Sequence, residues 1–466
     1  MNTFIIGVEN YCKVKFIGDD NNHRKYYWFS NIEKIMLKNG FGLDEIITTS
    51  QEVFDVTNLN NYFKLEYEGN VRYFTELMLD TFMINKYDLN KFFISVDELI
   101  KNNNNFIFLI DAGDYVSIDR IFLSEKILKC VNDGKCKIVL NTSYEPYSQE
   151  QHEFMKYLEI FSLKYNLNYD TLKIMTGNLI VKNDTEKRYE FIPYCYFLEN
   201  PWFVTKDVFP TDIYHIDGRK KIRESFKNKG DEFLKINDEI QSFDKKILCY
   251  NRRPHPHRRF LFWKMINNEI LYNNAYISLN NQEDFTHLSY NYLYNVTSEE
   301  SEKINNFYIN NRVSWSFDGY DLNFNLADNF EESFHKKTFI SLVSETSSSP
   351  NVVFFSEKIF KPIYACQPFI ISGNARSLEK LKELGFRTFD KWWDESYDLD
   401  GRFDVRLNKI IKILEDICNK TDEELSNMLR EMRGVLEHNY NVFVNSQNEH
   451  LSLIFKKIQP ENKKLI

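Results

Sequence analysis

The stretch that most limits what this chain can fold into is VVFFSEKIFKPIYACQPFIISGN, from Val352 to Asn374. Ser356 is a residue type that caps helices, and the apolar residues after it, Ile359, Phe360, Ile363 and Ala365, fall at helical spacing. Pro368 is expected to end that helix, and Phe369-Ile370-Ile371 reads as a short buried strand closed by Gly373. Loop, helix, strand and turn in so short a span belong to alternating α/β architecture. Lys358 falls in the first helical turn, where the helix dipole favours negative charge. A lysine there is out of place unless an anion lies opposite it, and a phosphate would satisfy both lysine and dipole.

The same alternation recurs upstream. Strand candidates at Thr3–Gly7, Phe106–Ile110, Lys137–Leu140 and Leu172–Met175 are separated by helical stretches such as Ser124–Val131 and Glu150–Leu163. The stretch from Tyr11 to Ser95 has no periodicity that orders its elements. A charged segment with few apolar positions, Gly218–Phe243, precedes a fresh strand at Lys246–Tyr250. It reads equally as an interdomain connection or as a surface helix. At 466 residues the chain exceeds what one core usually serves. The expected division is a first domain over residues 1–241 and a second over 242–466, the latter ending in helices at Asp404–Cys418, Thr421–His438 and Val442–Lys457.

Two charged clusters lie just past strands of the second domain. NRRPHPHRR, from Asn251 to Arg259, follows the Lys246–Tyr250 strand, and in open α/β sheets ligands bind beyond the carboxyl ends of strands. Pro254 and Pro256 stiffen this loop, and Arg258, at the start of the next helix, has the geometry for bidentate phosphate contacts. Arg252, Arg253 and Arg259 also suit a solvated basic turn, and His255 with His257 lacks a third zinc ligand nearby. In the first domain FIFLIDAGD places Asp111 and Asp114 at a strand end, where aspartates also cap helices, and KIVLNTSYE places Glu145 just past another strand. Trp392-Trp393 suits either a core anchor or a sugar-stacking platform.

Glu345, Ser356, Glu357, Lys358, Pro368 and Gly373 stand in the order of a motif of the two-Rossmann-domain (GT-B) glycosyltransferases, and the chain most resembles the α1,3-fucosyltransferases and their viral and bacterial relatives. ILCYNRRPHPHRRFLFWKMI, Ile247 to Ile266, matches a second family element, a strand ending in Asn followed by an Arg and an apolar helix. The resemblance implies two Rossmann-like α/β domains facing across a cleft, an acceptor-side domain followed by a nucleotide-sugar-binding domain, with C-terminal helices closing the fold. It implies donor binding by Asn251, Arg253, Arg258, Glu345, Ser356, Glu357 and Lys358, with Glu357 on the nucleotide ribose and Lys358 and Arg258 on the diphosphate. An inverting transferase needs a carboxylate base on the acceptor side, and Glu145 and Asp111 are the two options. The resemblance further implies a nucleotide-diphosphate sugar as donor and a carbohydrate or glycoconjugate hydroxyl as acceptor, in a scheme that requires no metal or other cofactor. Two alternatives are a nucleotide-sugar-binding module without catalysis and a transferase that glycosylates modified DNA bases.

Composition narrows the setting. With 59 basic and 68 acidic residues the formal charge is −9, so no general attraction to nucleic acid or an anionic membrane is expected and any anion site is local. No run of about 18 uncharged apolar residues occurs, as a membrane-spanning helix would need. MNTFIIGVENY lacks the pattern of a secretory signal, and the seven cysteines form no CxxC pair, which together point to a cytoplasmic protein with reduced thiols.

Overall fold

The structure, a computed structural model, describes residues 6–8, 11–16, 63–68, 93–112, 118, 121, 123–148, 150–182, 188–199, 216–280, 288–311, 330–445 and 449–458. The chain divides into two compact units. One is Met1–Asn200 with Val208–Ile222 and Gln447–Ile466, and the other is Pro201–Asp207 with Arg223–Ser446. The helix Ile216–Glu239 therefore begins in the first unit and continues in the second.

The first unit contains β1 (Ile6–Val8), β2 (Tyr11–Phe16), β3 (Phe63–Glu68), β4 (Phe93–Ser95), β5 (Phe106–Asp111), β6 (Cys136–Thr142), β7 (Leu172–Thr176) and β8 (Glu190–Pro193). Six of them form a parallel sheet in the order β4-β1-β5-β6-β7-β8, and β2 pairs antiparallel with β3 in the stretch whose order the sequence does not disclose. FIFLI in β5 is buried throughout, as a strand covered on both faces requires. Ser124 caps the helix Glu125–Asn132 by accepting from the Ile127 N–H at 3.2 Å. The helix His152–Tyr165 buries Phe154, Leu158 and Phe161 at successive turns and stops where Asn166 turns left-handed at φ 53°.

The second unit is built on β9 (Lys245–Cys249), β10 (Ala275–Ile277), β11 (Thr338–Ser344) and β12 (Phe369–Ser372), all parallel in the order β10-β9-β11-β12. Both units are thus Rossmann-like α/β folds. Leu407, Ile410, Leu414 and Ile417 form the buried stripe of the helix Phe403–Cys418. The helix Asp422–Asn445 buries Leu425, Leu429, Met432, Leu436, Tyr440 and Phe443. It opens with a capping box, in which Thr421 Oγ1 accepts from the Glu424 N–H at 3.2 Å and Glu424 accepts from the Thr421 N–H at 2.7 Å.

One expectation needs correcting. The helix begun at Ser356 spans Glu357–Tyr364 and ends before Pro368 is reached. Cys366 takes a left-handed φ of 47°, with its N–H on the Ile363 carbonyl at 3.2 Å and the Gln367 N–H on the Pro362 carbonyl at 2.9 Å. These are the two bonds of a Schellman turn, with cysteine where glycine is usual.

Among the described residues no helix is long and apolar enough to cross a membrane.

Two helical glycines show how tightly the second unit packs. A Cβ on Gly230 would lie 2.7 and 2.8 Å from two ring carbons of Tyr440, whereas one on exposed Gly434 meets nothing within 4 Å. Gly434→Ala should stabilise the protein by about 0.5–1 kcal/mol, the ordinary gain of alanine in a helix. Gly230→Ala should instead destabilise it by about 1–3 kcal/mol through overpacking. Urea unfolding of the two variants checks the opposite signs.

Candidate functional site

In the second sheet β9 has β10 on one side and β11 on the other, so the chain reverses direction of progress between β9 and β11. Crevices at such reversals, outside the carboxyl ends of strands, are where open α/β sheets hold ligands. Asn251 lies two residues past β9, and Glu345 directly follows β11. The helices Pro256–Ile266 and Glu357–Tyr364 both begin at this edge.

Glu345 is the junction. Its side chain is fully buried and accepts from Ser356 Oγ at 2.6 Å, from the Ser356 N–H at 3.3 Å and from the Thr346 N–H at 3.2 Å. Its carbonyl accepts from Arg258 at 3.1 Å and from His257 Nε2 at 2.9 Å, which fixes the proton of that imidazole on Nε2. The Glu345 N–H donates to the Ser372 carbonyl at 3.1 Å, just past which Gly373 is obligatory: a Cβ there would sit 2.8 Å from the Glu345 Cβ. Burial pushes the Glu345 carboxyl above its ordinary range, against the pull of Lys358 and the Ser356 hydrogen bond.

Ser356 also caps its helix by accepting from the Lys358 N–H at 3.3 Å. The anion opposite Lys358 is its own neighbour, since Lys358 Nζ lies 2.6 Å from Glu357 Oε1 and 3.3 Å from Ser356 Oγ. Burial raises the Glu357 carboxyl, but Lys358 and Lys361 outweigh it and hold the group at about 2. Lys358 keeps 18% of its side chain exposed and Glu357 9%.

Arg258 is buried and spreads its terminal nitrogens over carbonyls, those of Arg253 and Ser344 at 3.3 Å and of Glu345 at 3.1 Å, while its Nε has no partner. It thereby staples the helix Pro256–Ile266 to the end of β11. Burial lowers its pKa, and the charges of Glu345 and Glu357 oppose that. Asn251 is buried with its amide nitrogen 3.3 Å from Cys249 Sγ, and Arg253 is exposed. His255 stacks on His257 with 5.9 Å between ring centroids, and burial together with the Arg258 and Arg253 charges lowers its pKa to about 4.

The sequence candidates of the second unit thus share one edge. In the first unit Asp111 is the last residue of β5, beside the reversal between β1 and β5, and Asp114 lies outside the described residues. Glu145 stands half-buried in the turn after β6, its N–H on the Thr142 carbonyl at 3.2 Å and its carbonyl accepting from the Gly177 N–H at 3.0 Å. Trp393 is a core anchor stacked on Phe389 at 5.2 Å. Among the described residues no group of three or more His, Cys, Asp and Glu could hold a metal ion. Sequence reasoning missed Lys361, buried one turn below Lys358, and His335 and Gln367, which meet across 32 positions.

No protein-family model and no curated protein matches the chain. Three solved chains match it, among them the N-terminal domain of trehalose-6-phosphate phosphatase from Candida albicans. That chain is 10% identical, with 76% of this chain and 72% of that one covered at a TM-score of 0.31. So low a score carries no argument about fold or function.

The depressed Glu357 carboxyl makes stability depend on pH. A group whose folded pKa lies below its unfolded value of 4.5 stabilises the fold fully above 4.5, and the contribution is lost as pH falls through about 2. Glu357→Gln should cost up to about 3 kcal/mol at pH 7. The gap between parent and variant should narrow steadily from pH 4.5 towards 2, as read from unfolding midpoints across that range.

Proposed function

We propose that the chain is a glycosyltransferase that moves a sugar from a nucleotide-diphosphate sugar to an acceptor hydroxyl, resembling the α1,3-fucosyltransferases. In this reading the two units face each other across a cleft, with the C-terminal helices closing the fold. The observation that carries it is the charge balance at the β9–β11 edge. Among the described residues, Arg258, Lys358 and exposed Arg253 bring three cationic side chains against two carboxylates, Glu345 and Glu357. An excess of positive charge at a strand reversal and two helix starts favours a polyanionic ligand, and the overall charge of −9 gives no general reason for it.

The Glu357–Lys358 pair suits the proposed ligand. A diphosphate would draw Lys358 away from Glu357, and the released carboxylate would then accept from ribose hydroxyls. One internal ion pair would be exchanged for two ligand contacts. Arg258, its terminal nitrogens engaged by carbonyls, would act chiefly as fixed charge behind the diphosphate as it departs. Glu145 or Asp111 would supply the acceptor base.

A thermal-shift series with nucleoside diphosphates, nucleotide sugars and uncharged nucleosides tests this, because a ligand of the folded state alone raises the melting temperature. Lys358→Ala should weaken diphosphate ligands about ten- to a hundredfold and leave nucleosides nearly unaffected. Comparing the two ligand classes within one variant removes any loss of folding from the result. Equal affinities of parent and variant for every diphosphate would defeat the proposal.

A further inference from the structure

Beneath the helix Glu357–Tyr364 lies a small cavity of about 20 Å³, walled by Leu248 and Leu342 and bordered by Ser344, Lys358, Lys361 and His335. That volume holds about one water-sized group. Lys358, partly exposed, is among the residues that line it, so the cavity reaches the residue proposed above to meet the diphosphate.

His335 fixes the chemistry of the interior. Its Nδ1 lies 2.7 Å from Gln367 Oε1. The Gln367 amide is oriented by its nitrogen, which donates to the Thr338 carbonyl at 2.9 Å and to Thr338 Oγ1 at 2.8 Å. Thr338 Oγ1 in turn donates to the Phe334 carbonyl at 2.8 Å, and Ser341 Oγ donates to Gln367 Oε1 at 2.6 Å. An amide oxygen only accepts, so the network assigns the imidazole proton to Nδ1 and leaves Nε2 as a bare acceptor. The ring is held in place by Phe330, stacked at 5.0 Å. His335 is 6% exposed and its Nε2 has no partner; neither has Ser344 Oγ, on a residue 1% exposed. Burial and the nearby Lys361 charge lower the His335 pKa to about 4, so the acceptor persists at neutral pH. His335 Nε2 and Ser344 Oγ thus belong to two residues that line one cavity, together with Tyr250, whose ring meets His335 edge-on at 6.0 Å, and buried polar atoms without a partner are costly unless something fills the space.

We propose that this cavity is a specificity subsite that receives one hydrogen-bond-donating group, a hydroxyl or an N–H, from the uncharged part of a ligand whose anionic part lies on Lys358. It rests on the reading above that the β9–β11 edge binds a diphosphate. A water can occupy the space in the free protein. A ligand donor that replaces the water keeps the bond to Nε2, whereas an analogue without that donor leaves the acceptor buried and unpaired. The group can belong to the nucleobase or to the donor sugar, and the two are separable by experiment.

Titration calorimetry on the full chain, with inorganic pyrophosphate, each nucleoside diphosphate and the corresponding nucleotide sugars, compares the parent with His335→Phe. Pyrophosphate affinity should be equal in the two proteins, while the tightest nucleotide ligand loses about tenfold. A loss already present with the nucleoside diphosphate assigns the group to the base; one confined to the nucleotide sugar assigns it to the sugar. Ser344→Ala, which removes only a hydroxyl, should give the same pattern at about threefold and serves if His335→Phe does not fold. Variants that bind every ligand like the parent overturn the proposal and leave the cavity as a water site. A parent that binds pyrophosphate as tightly as any nucleotide overturns the subsite alone. A parent that binds neither overturns the diphosphate reading, and the subsite with it.

Discussion

The carboxyl edge of the second unit depends on the burial of Glu345. Its side chain ties it to Ser356 and so to the start of one helix, its carbonyl to Arg258 and His257 on another, and its N–H to the end of β12. Removing a carboxylate from water is costly, and burial accordingly pushes this one up. What the arrangement gains is geometry more than stability, because each bond to Glu345 fixes the position of a group at the carboxyl edge of the sheet. Gly373 follows from the same constraint, since any side chain there would displace Glu345.

With Glu345 fixed, the helix Glu357–Tyr364 has little freedom in where it starts. Ser356 is held by Glu345 and caps the helix at the same time, so Glu357 and Lys358 are delivered side by side at the edge. Their ion pair is local, formed by adjacent residues, while the Lys358 charge also acts on the buried Glu345 carboxyl. Separating a pair of adjacent residues of this kind requires little rearrangement of the fold. Pro362, inside the same helix, has no N–H to offer the Lys358 carbonyl, so the first turn is less constrained by hydrogen bonds than a regular helix.

Much of this was legible in the sequence where the signal is contiguous. The apolar runs of β5, β6, β7 and β12 and the capped start at Ser356 could be read because strand burial and capping act between near neighbours. The end of that helix was misread because Pro368 is a conspicuous breaker, while a left-handed cysteine at position 366 leaves no mark on composition. The β2–β3 pair joins segments some fifty positions apart, and no local periodicity reports such pairing. The charged character of Lys358 was visible, but its pairing with Glu357 was not, because adjacent helical residues do not ordinarily face each other. Asp111 and Glu145 could be placed at strand ends, since that placement follows from where the apolar runs stop.

His335, Gln367 and Thr338 were invisible for a different reason: each is an ordinary polar residue, and only the fold makes them a relay. Their connection to Glu357 and Lys358 at the carboxyl edge passes through one helix. Lys358 and Lys361 lie one turn apart, and Lys361 acts on both Glu357 above it and His335 below it. Lys361 is thus a cation that both groups share, while Lys358 at the edge acts on Glu357 and Glu345 and His335 meets Gln367 in the interior. The helix Glu357–Tyr364 therefore carries two polar environments, one on each side of Lys361, and Glu345 fixes where it starts.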